Sequence, residues 1–230
     1  MLTPFRYLFC IFWTILMITS SLIILVITFN RKIPVRMART MFAPGILWGC
    51  GAKLEIRGGE ELSQAESYVF VCNHLSYLDI PALFRAIPHN LHFVAKKEIK
   101  WVPFIGWYMY ATEMIFVDRS NRRKAIASLD RAGKLIKKGK DVLMFPEGTR
   151  SRTGEVGEFK KGPFMLATKA DIAVVPVSIQ GTEEVLPAGS FALKSGKVVV
   201  NIGSPVRMKS DHDLKAYIGE VRQEVINLKV

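Results

Sequence analysis

The chain of 230 residues has few cysteines, and none of them lie close together in the sequence. Cys10, Cys50 and Cys72 are far apart and include no Cys-x-x-Cys pair. A disulfide framework and a zinc site are therefore not indicated, and a reducing compartment is the easier fit. The sequence also lacks Gly-x-Ser-x-Gly, which excludes the usual nucleophile elbow, and it has no internal repeat or low-complexity segment.

Acidic residues are scarce relative to basic ones. There are 20 Asp and Glu against 32 Lys and Arg, a formal net charge of +12, although 50% of the residues are hydrophobic. A soluble nucleic-acid binder does not usually combine these values, whereas a basic protein at an anionic membrane surface does. The segment Asp118–Lys140 has nine Lys and Arg against two Asp, a net +7 that also suits nucleic acid or an acidic carrier protein.

Charge is absent altogether from the 23 residues Tyr7–Phe29. As a helix they would span about 34 Å, enough to cross the hydrocarbon core of a bilayer. The stretch is too long and too aromatic for a signal peptide, so it predicts a retained membrane anchor within residues 1–52. Four basic residues between positions 31 and 39 follow it, and the positive-inside rule then places the remaining chain on the cytoplasmic side.

A second apolar segment, residues 35–51, leaves an alternative arrangement open. It contains Pro44-Gly45, which is a turn signal. The N-terminal region could therefore form a hairpin buried in one leaflet rather than a single span.

Residues 53–230 have the pattern of a globular α/β domain. The predicted strands are Leu54–Arg57, Tyr68–Cys72, His92–Ala95, Met114–Val117, Val142–Phe145, Ile172–Ile179 and Lys197–Ile202. The predicted helices are Ile80–Ile87, Ser120–Lys138 with the apolar face Ile126, Leu129, Ala132 and Ile136, and a last helix opening at a Ser210-x-x-Asp213 capping box. This alternation predicts an α/β fold: a mixed, largely parallel sheet flanked by helices, preceded by an N-terminal membrane helix or helical hairpin.

A catalytic base is indicated at Asn73–Asp79, where a buried strand leads into a helix. His74 and Asp79 are five residues apart across this junction and can face each other. The carboxylate would then hold one imidazole nitrogen as a donor and leave the other free to accept a proton. A His and an Asp at this spacing are also a common accident, so the interpretation depends on the rest of the chain.

Three further stretches, at the ends of predicted strands or within one, contain residues that could contact a ligand. Asp118-Arg119 could grip a phosphate or form a surface ion pair. The loop Phe145–Gly154 offers glycines, the carboxylate of Glu147 and the donors Thr149, Arg150 and Arg152, or is simply a flexible basic loop. Pro176 within a strand indicates an edge, a bulge or an opening towards a ligand.

The segment Lys96–Tyr110 leads from lysines into a dense aromatic and aliphatic stretch. Trp and Tyr favour the headgroup level of a membrane, and Lys favours lipid phosphate. The segment Trp101–Tyr110 is therefore expected to dock on the bilayer, and burial in the core is the alternative.

Taken together and in this order, these motifs resemble the lysophosphatidic acid acyltransferase family, the glycerolipid acyltransferases of the PlsC type. The resemblance runs from about Lys53 to Gly203. The matching blocks are Asn73-His74-x4-Asp79, Phe116-Val-Asp-Arg119, Phe145-Pro-Glu-Gly-Thr-Arg150 and Val175-Pro176-Val, with Lys97-Glu-x3-Val-Pro-Phe-Ile-Gly106 as a linking segment.

The resemblance implies acyl transfer from acyl-CoA or acyl-acyl carrier protein to the sn-2 hydroxyl of 1-acylglycerol 3-phosphate, which gives phosphatidic acid. His74 would be the general base and Asp79 its partner. The acceptor would be bound by Arg119, Lys97, Glu147, Gly148, Thr149, Arg150 and Pro176. No metal, cofactor or covalent enzyme intermediate is implied, and the expected location is the cytoplasmic face of a bacterial inner membrane.

Three alternatives remain at this point. The acceptor could be glycerol 3-phosphate or another lysolipid. The chain could bind membrane lipid without catalysis, although the His74–Asp79 pair argues against this. A nucleic-acid binder is the third, and the membrane anchor disfavours it.

Overall fold

The computed structural model describes residues 3–118, 122–187, 189, 192–208 and 213–229. The strands are β1 (Ala52–Gly58), β2 (Val69–Cys72), β3 (Leu91–Lys96), β4 (Ile115–Val117), β5 (Asp141–Met144), β6 (Val174–Gln180) and β7 (Gly196–Ile202). The α-helices are α1 (Thr3–Thr28), α2 (Lys32–Met37), α3 (Ala43–Cys50), α4 (Asp79–Ala86), α5 (Ile105–Ala111), α6 (Arg122–Ile136), α7 (Gly162–Ala170), α8 (Thr182–Val185) and α9 (Leu214–Asn227). A π-helical turn, Ala38–Phe42, joins α2 to α3, and a 3-10 helix, Lys97–Trp101, follows β3.

The strands form one sheet in the order β1-β7-β6-β2-β5-β3-β4. Every neighbouring pair is parallel except β6 with β7, which is antiparallel. The central strands β2 and β5 are buried at every residue, as expected for parallel strands with helices on both faces. The predicted mixed, largely parallel sheet is confirmed.

Two apolar cores lie on opposite faces of this sheet. Alternate residues of β2 enter them, because successive side chains of a strand point to opposite faces. Phe70 and Cys72 join the core formed with α3 and α4. Val69 and Val71 join the core formed with α6, α7 and α9. β2 is thereby fixed from both sides, which gives the loop after it a rigid base.

The N-terminal region is a helical hairpin. The chain reverses after α1 at Phe29, whose φ is +52°, and residues 32–50 run back along α1. The indole N–H of Trp13 donates to Phe42 O at 3.2 Å, and the sulfurs of Cys10 and Cys50 are 3.6 Å apart. The prediction of a turn at Pro44-Gly45 is wrong, since Pro44 lies in the first turn of α3, where its missing N–H is tolerated.

Glycines let α3 approach α1 closely. A Cβ on Gly45 would overlap the Trp13 ring, and one on Gly49 would overlap Phe9. These two glycines are four residues apart and therefore lie on one side of the helix. Small residues at this spacing commonly bring membrane helices together.

Both ends of the hairpin's first helix are attached to the globular part. Near the start of α1, Arg6 donates to the Ser195 hydroxyl at 2.9 Å. Just beyond its end, Arg31 Nε donates to Ala111 O at 3.1 Å, and Tyr108 OH donates to Pro34 O at 3.1 Å. α1 is long and apolar enough to cross a membrane by length and composition, but in this conformation it lies along the domain.

Two helix boundaries differ from the sequence prediction. Asp213 is itself the N-cap of α9, because its Oδ1 accepts the N–H of Ala216 at 2.7 Å. The predicted capping box, with Asp213 in its fourth position, is therefore wrong, and Ser210 lies outside the described residues. Within the described residues α6 covers Arg122–Ile136, so it ends before the predicted Lys138, and it buries Ala132 and Ile136 as predicted. Ser120 and the side chains of residues 126 and 129 lie outside the described part.

Pro176 lies in an interior strand. β6 has β2 on one side and β7 on the other, so the edge interpretation is wrong. The β6–β7 ladder ends at Val177 and Ile202, Gly203 N–H donates to Pro176 O at 2.9 Å, and Val174 then pairs with Val206. Between these two pairs, two residues of β6 face three of the segment after β7, so Pro176 lies opposite a bulge and its missing N–H breaks no regular pair.

A buried histidine makes the stability of this fold sensitive to pH. His92 lies 4% exposed in β3, and burial, reinforced by the nearby charge of Lys140 and opposed by Asp141, lowers its pKa to about 4. In the unfolded chain a histidine titrates at about 6.5. Unfolding therefore takes up a proton between these pH values, and the free energy of unfolding should fall by about 3 kcal/mol as pH drops through them.

Urea unfolding of the detergent-solubilised protein at pH 7 and pH 4.5 measures this loss. His92→Gln is the matched variant, because its amide cannot take up the proton. The wild type should lose more stability than the variant over this interval. Equal losses in the two proteins would contradict the assignment to His92.

Candidate active site

The site lies where three parallel strands end side by side. β6, β2 and β5 are neighbours in the sheet, so their carboxyl ends meet at the same edge. His74 follows β2, Glu147 follows β5 and Thr182 follows β6. The carboxyl edge of a parallel sheet is the usual place for a ligand.

The imidazole of His74 is held in one orientation. Its Nδ1 lies 2.7 Å from Asp79 Oδ2. The ring stacks on Phe145, with centroids 3.9 Å apart and an angle of 14° between the planes. The side chain is 18% exposed, and none of the described residues hydrogen bonds to its Nε2. An ionised carboxylate on Nδ1 fixes the proton there, so Nε2 is left with the lone pair.

Asp79 is fully buried and has hydrogen bonds at both oxygens. Oδ2 accepts from His74 Nδ1 and from the backbone N–H groups of Leu75 and Ser76, at 2.7 and 3.0 Å. Oδ1 accepts from the Thr182 hydroxyl at 2.5 Å. These hydrogen bonds fix the orientation of the carboxylate and leave neither of its oxygens unpaired. The predicted pairing of His74 with Asp79 is therefore present in the structure.

Glu147 holds the backbone of the same loop. Its Oε1 accepts the N–H of His74 at 3.0 Å, and its Oε2 accepts the N–H of Gly157 at 3.3 Å. Burial raises the pKa of this carboxyl, and the two N–H groups act in the opposite direction. These contacts hold the backbone at His74, and the substrate-binding role expected for Glu147 stays a prediction. Ser151 N–H adds a bond to His74 O at 2.7 Å.

Two of the predicted cationic binding residues, Arg150 and Lys97, follow β5 and β3 in the chain. The Arg150 guanidinium stacks over the Tyr77 ring, 3.9 Å from its centroid. Lys97, after β3, pairs with Asp118 at 3.0 Å, and this hydrogen bond raises the pKa of Lys97. Asp118 directly follows β4, which lies three strand positions from β2, about 14 Å away at ordinary strand spacing. Arg119 lies outside the described residues.

The remaining predicted binding residues are placed differently from one another. Gly148 has a φ of +77°, a conformation that favours glycine, and Thr149 beside it is exposed. Pro176 is buried within the sheet, with its carbonyl bonded to Gly203. The structure therefore brings Gly148 and Thr149 to the rim after β5 and leaves Pro176 in the framework beneath.

The aromatic segment after Lys97 is on the surface. The exposed fractions are 81% for Trp101, 55% for Trp107 and 66% for Tyr110. Lys100 lies over the Trp101 and Tyr110 rings, at 5.8 and 4.7 Å from their centroids. Burial of the whole segment in the core is thereby excluded, although Tyr108 turns inward to the hairpin.

A family model described as Acyltransferase matches residues 53–180, which is more than half of the chain. The chain belongs to the acyltransferase family. The crystal structure of the 1-acyl-sn-glycerophosphate acyltransferase PlsC from Thermotoga maritima is similar over 100% of this chain and 95% of that one, with a TM-score of 0.84 and 29% identity. The resemblance inferred from the motifs is confirmed.

Curated relatives of this acyltransferase include two eukaryotic proteins named 1-acyl-sn-glycerol-3-phosphate acyltransferase. The chloroplastic one from Arabidopsis thaliana is 40% identical over 156 residues, which are 67% of this chain and 44% of the relative. The one from Saccharomyces cerevisiae is 37% identical over 178 residues, 76% of this chain and 58% of the relative. The chain thus spans about half of the length of these relatives.

Cys72 is the only thiol next to the base in the sequence of this acyltransferase, and it lies inside the core. Burial raises the pKa of the thiol, and the charges of Asp79 and Glu147 add to this effect. A thiol without access or thiolate character is a poor nucleophile. The geometry therefore favours a site in which His74 acts on a hydroxyl supplied by the substrate.

Sequence reasoning missed several residues that position His74 in this acyltransferase. The side-chain amide of Asn73 exchanges two hydrogen bonds with the backbone of Ile179, at 2.8 and 2.9 Å. The Ser76 hydroxyl donates to Leu186 O at 2.7 Å. Asn73 and Ser76 lie within the first motif, but their partners are more than 100 residues away in the sequence. Thr182 directly follows the fourth motif's strand and its Gly181, a signal that could have identified it.

Proposed function

We propose that this acyltransferase transfers a fatty acyl group from acyl-CoA or acyl-acyl carrier protein to the sn-2 hydroxyl of 1-acyl-sn-glycerol 3-phosphate, producing phosphatidic acid. The observation that carries the proposal is the orientation of His74: buried Asp79 holds its Nδ1, and none of the described residues hydrogen bonds to its Nε2. The names of the relatives support the acceptor.

His74 acts as the general base in the proposed reaction. Nε2 accepts the proton of the acceptor hydroxyl as its oxygen bonds to the thioester carbonyl carbon. Asp79 stabilises the imidazolium that forms. When the tetrahedral intermediate collapses, the carbon–sulfur bond breaks and the departing thiolate takes the proton from Nε2. The products are an ester and a free thiol, and this scheme requires no metal, cofactor or acyl-enzyme.

The acceptor's phosphate would be held by basic residues around the base. Arg119 is proposed as its main ligand, with Lys97 and Arg150 as helpers. Arg150 is pre-oriented by Tyr77, whose hydroxyl oxygen accepts a hydrogen bond from the guanidinium at 3.3 Å. Lys97 is already paired with Asp118, so on binding phosphate its ammonium group would have to contact both anions. These residues distinguish a phosphate monoester from a neutral headgroup.

Product analysis with purified protein in detergent tests the proposal. Each thioester donor is combined with lysophosphatidic acid, glycerol 3-phosphate, lysophosphatidylcholine and monoacylglycerol, and the products are identified by mass spectrometry. Phosphatidic acid should be the main product. Arg119→Ala should narrow the preference for lysophosphatidic acid over monoacylglycerol. Efficient acylation of another acceptor alone would overturn the assignment, and activity with one donor alone would decide between the two thioesters.

Membrane association is supported by the apolar surface of the hairpin. α1 exposes large apolar side chains that the chain itself does not cover, among them Phe5, Leu8, Phe12, Val26 and Ile27. Because both ends of α1 bind the domain, we infer that the hairpin lies in one leaflet. The proposed location is the cytoplasmic face of a bacterial inner membrane, which follows from the basic residues after α1 and the net charge of +12.

Trp101 and Trp107 should enter the headgroup region together with this hairpin. Their segment adjoins its turn, because α5 bonds to Arg31 and Pro34, and Lys100 lies beside the exposed rings. In the double variant Trp13→Phe and Trp48→Phe, Trp101 and Trp107 are the two tryptophans that remain. Their fluorescence should shift to shorter wavelength on anionic vesicles and be quenched by brominated lipid.

A tryptophan elsewhere on the surface provides the control. The side chain of Lys169 on α7 is 76% exposed. Lys169→Trp is made in a chain whose four natural tryptophans are replaced by phenylalanine. Its emission should not change with vesicles. Unchanged emission from Trp101 and Trp107 as well would remove this segment from the membrane contact and leave the hairpin as the membrane element.

A further inference from the structure

Thr182 contacts the carboxylate that orients the base. It is the first residue of α8, it is fully buried, and its Oγ1 lies 2.5 Å from Asp79 Oδ1. An ionised carboxylate can only accept hydrogen bonds, so the hydroxyl must be the donor. A hydrogen bond to a charged group is stronger than one between neutral groups. This contact joins the segment after β6 to the base loop after β2.

The hydroxyl is held in place from both sides of its own segment. Before α8, Ile179 exchanges two hydrogen bonds with the side chain of Asn73. After α8, Leu186 O accepts from the Ser76 hydroxyl at 2.7 Å. The segment 179–186 is thereby fixed to the base loop at both ends. Thr182 consequently meets Asp79 in a preorganised position, with little freedom to turn away.

The surroundings of Asp79 make this donor important. Three other acidic groups act electrostatically with the carboxylate: Cys72 from β2, Glu147 from the loop after β5 and Glu183 from α8. Burial raises the pKa of both glutamates, and the charge of Asp79 adds to the effect. Like charges at close range favour protonation of one of the group.

Hydrogen-bond donors oppose that protonation at both oxygens of Asp79. His74, Leu75 and Ser76 serve Oδ2. At Oδ1, Thr182 is the donor found among the described residues. Losing it would leave one oxygen of a buried carboxylate without a partner, so the proton affinity of the His74–Asp79 pair would rise.

We propose that Thr182 is a positioning residue for the acyl transfer, whose hydroxyl holds the Asp79 carboxylate in its orientation beneath His74. The inference rests on the proposed function in that it takes His74 as the base. With Asp79 charged, His74 keeps its proton on Nδ1 and its lone pair on Nε2. The site is thus a His–Asp–Thr array whose third member comes from a distant part of the sequence.

Thr182→Val removes the hydroxyl while nearly preserving the volume and shape of the side chain. We expect kcat to fall by about 10- to 100-fold, the range for a lost hydrogen bond to a charged group. The KM values of both substrates should change little, because Thr182 touches neither. The acid limb of the pH profile of kcat/KM should move to higher pH, since the pair now takes up its proton more readily. Thr182→Ser should restore both kcat and the pH profile.

Ser178→Ala is the matched control, because Ser178 is another fully buried hydroxyl on β6 and donates to Leu228 O at 2.9 Å, far from the carboxylate. It should lower stability and leave the acid limb unchanged. An unshifted acid limb in Thr182→Val would overturn the proposal. A second result would also overturn it: Thr182→Val and Thr182→Ala both fail to fold while Thr182→Ser folds. The hydroxyl would then act on stability alone.

NMR titration of His74 separates this proposal from the proposed function. The apparent pKa of His74 is measured without substrate in the wild type and in Thr182→Val, with His74→Gln spectra to assign the signal. A higher value in Thr182→Val supports the array even if the wild type acylates none of the lysolipids. Equal values reject the array even if phosphatidic acid is formed.

Discussion

Replacing His74 by alanine is expected to lower kcat by about 10²–10⁴-fold, the usual contribution of a general base. The imidazole is the group with a free nitrogen at the centre of the site, and its backbone is fixed by Glu147 and Ser151. The loop should therefore keep its conformation after the ring is removed. Initial rates with a thioester and lysophosphatidic acid measure the loss, and circular dichroism and vesicle binding should match the wild type.

His74→Gln serves as a second variant, since it restores a polar side chain of similar length that cannot accept the proton. Both variants should be similarly inactive. If His74→Ala kept more than about a tenth of the wild-type rate, a loss this small would contradict the general-base assignment.

Asp79→Asn is expected to lower kcat by about 10²–10³-fold with little loss of stability. The donors around the site decide how the amide sits. Its oxygen must take the Oδ2 position, because Leu75 and Ser76 donate there, and its NH2 then faces the oxygen of Thr182. The proton can remain on His74 Nδ1, so the substitution requires no change of tautomer. What is lost is the charge that stabilises the imidazolium.

Asp79→Ala should behave differently in a stability measurement. It leaves the buried N–H groups of Leu75 and Ser76 without their acceptor, and each unpaired group costs about 1–3 kcal/mol. Urea unfolding should therefore show Asp79→Ala well below Asp79→Asn, while both have low activity. An Asp79→Asn protein with the wild-type kcat would show that the charge on Asp79 is dispensable.

The sheet could be predicted from the sequence because its strands are short apolar runs separated by polar turns. β2 and β5 each match a run that the sequence marks as buried. The pairing of His74 with Asp79 was also predictable, since both residues belong to one strand-to-helix junction. Local patterns therefore predicted the contact between the imidazole and the carboxylate.

Contacts between distant segments could not be predicted in the same way. Thr182 is 103 residues from Asp79, and only the neighbouring positions of β2 and β6 in the sheet bring them together. Glu147 is 73 residues from His74, and its carboxylate could equally have faced substrate. The reversal at Phe29 carries no glycine or proline, whereas the dipeptide that does signal a turn, Pro44-Gly45, lies within a helix.

Under the proposed function and one-leaflet placement, the attachment of both ends of α1 to one domain would affect how a membrane grows. An enzyme held in this way would add its phospholipid product to the leaflet that it contacts and none to the opposite leaflet. The area of that leaflet would then increase with every turnover. The bilayer would bend, or its growth would stop, unless lipid crossed to the other leaflet. Cells that depend on such an enzyme must therefore have a separate route for moving phospholipid between the two sides.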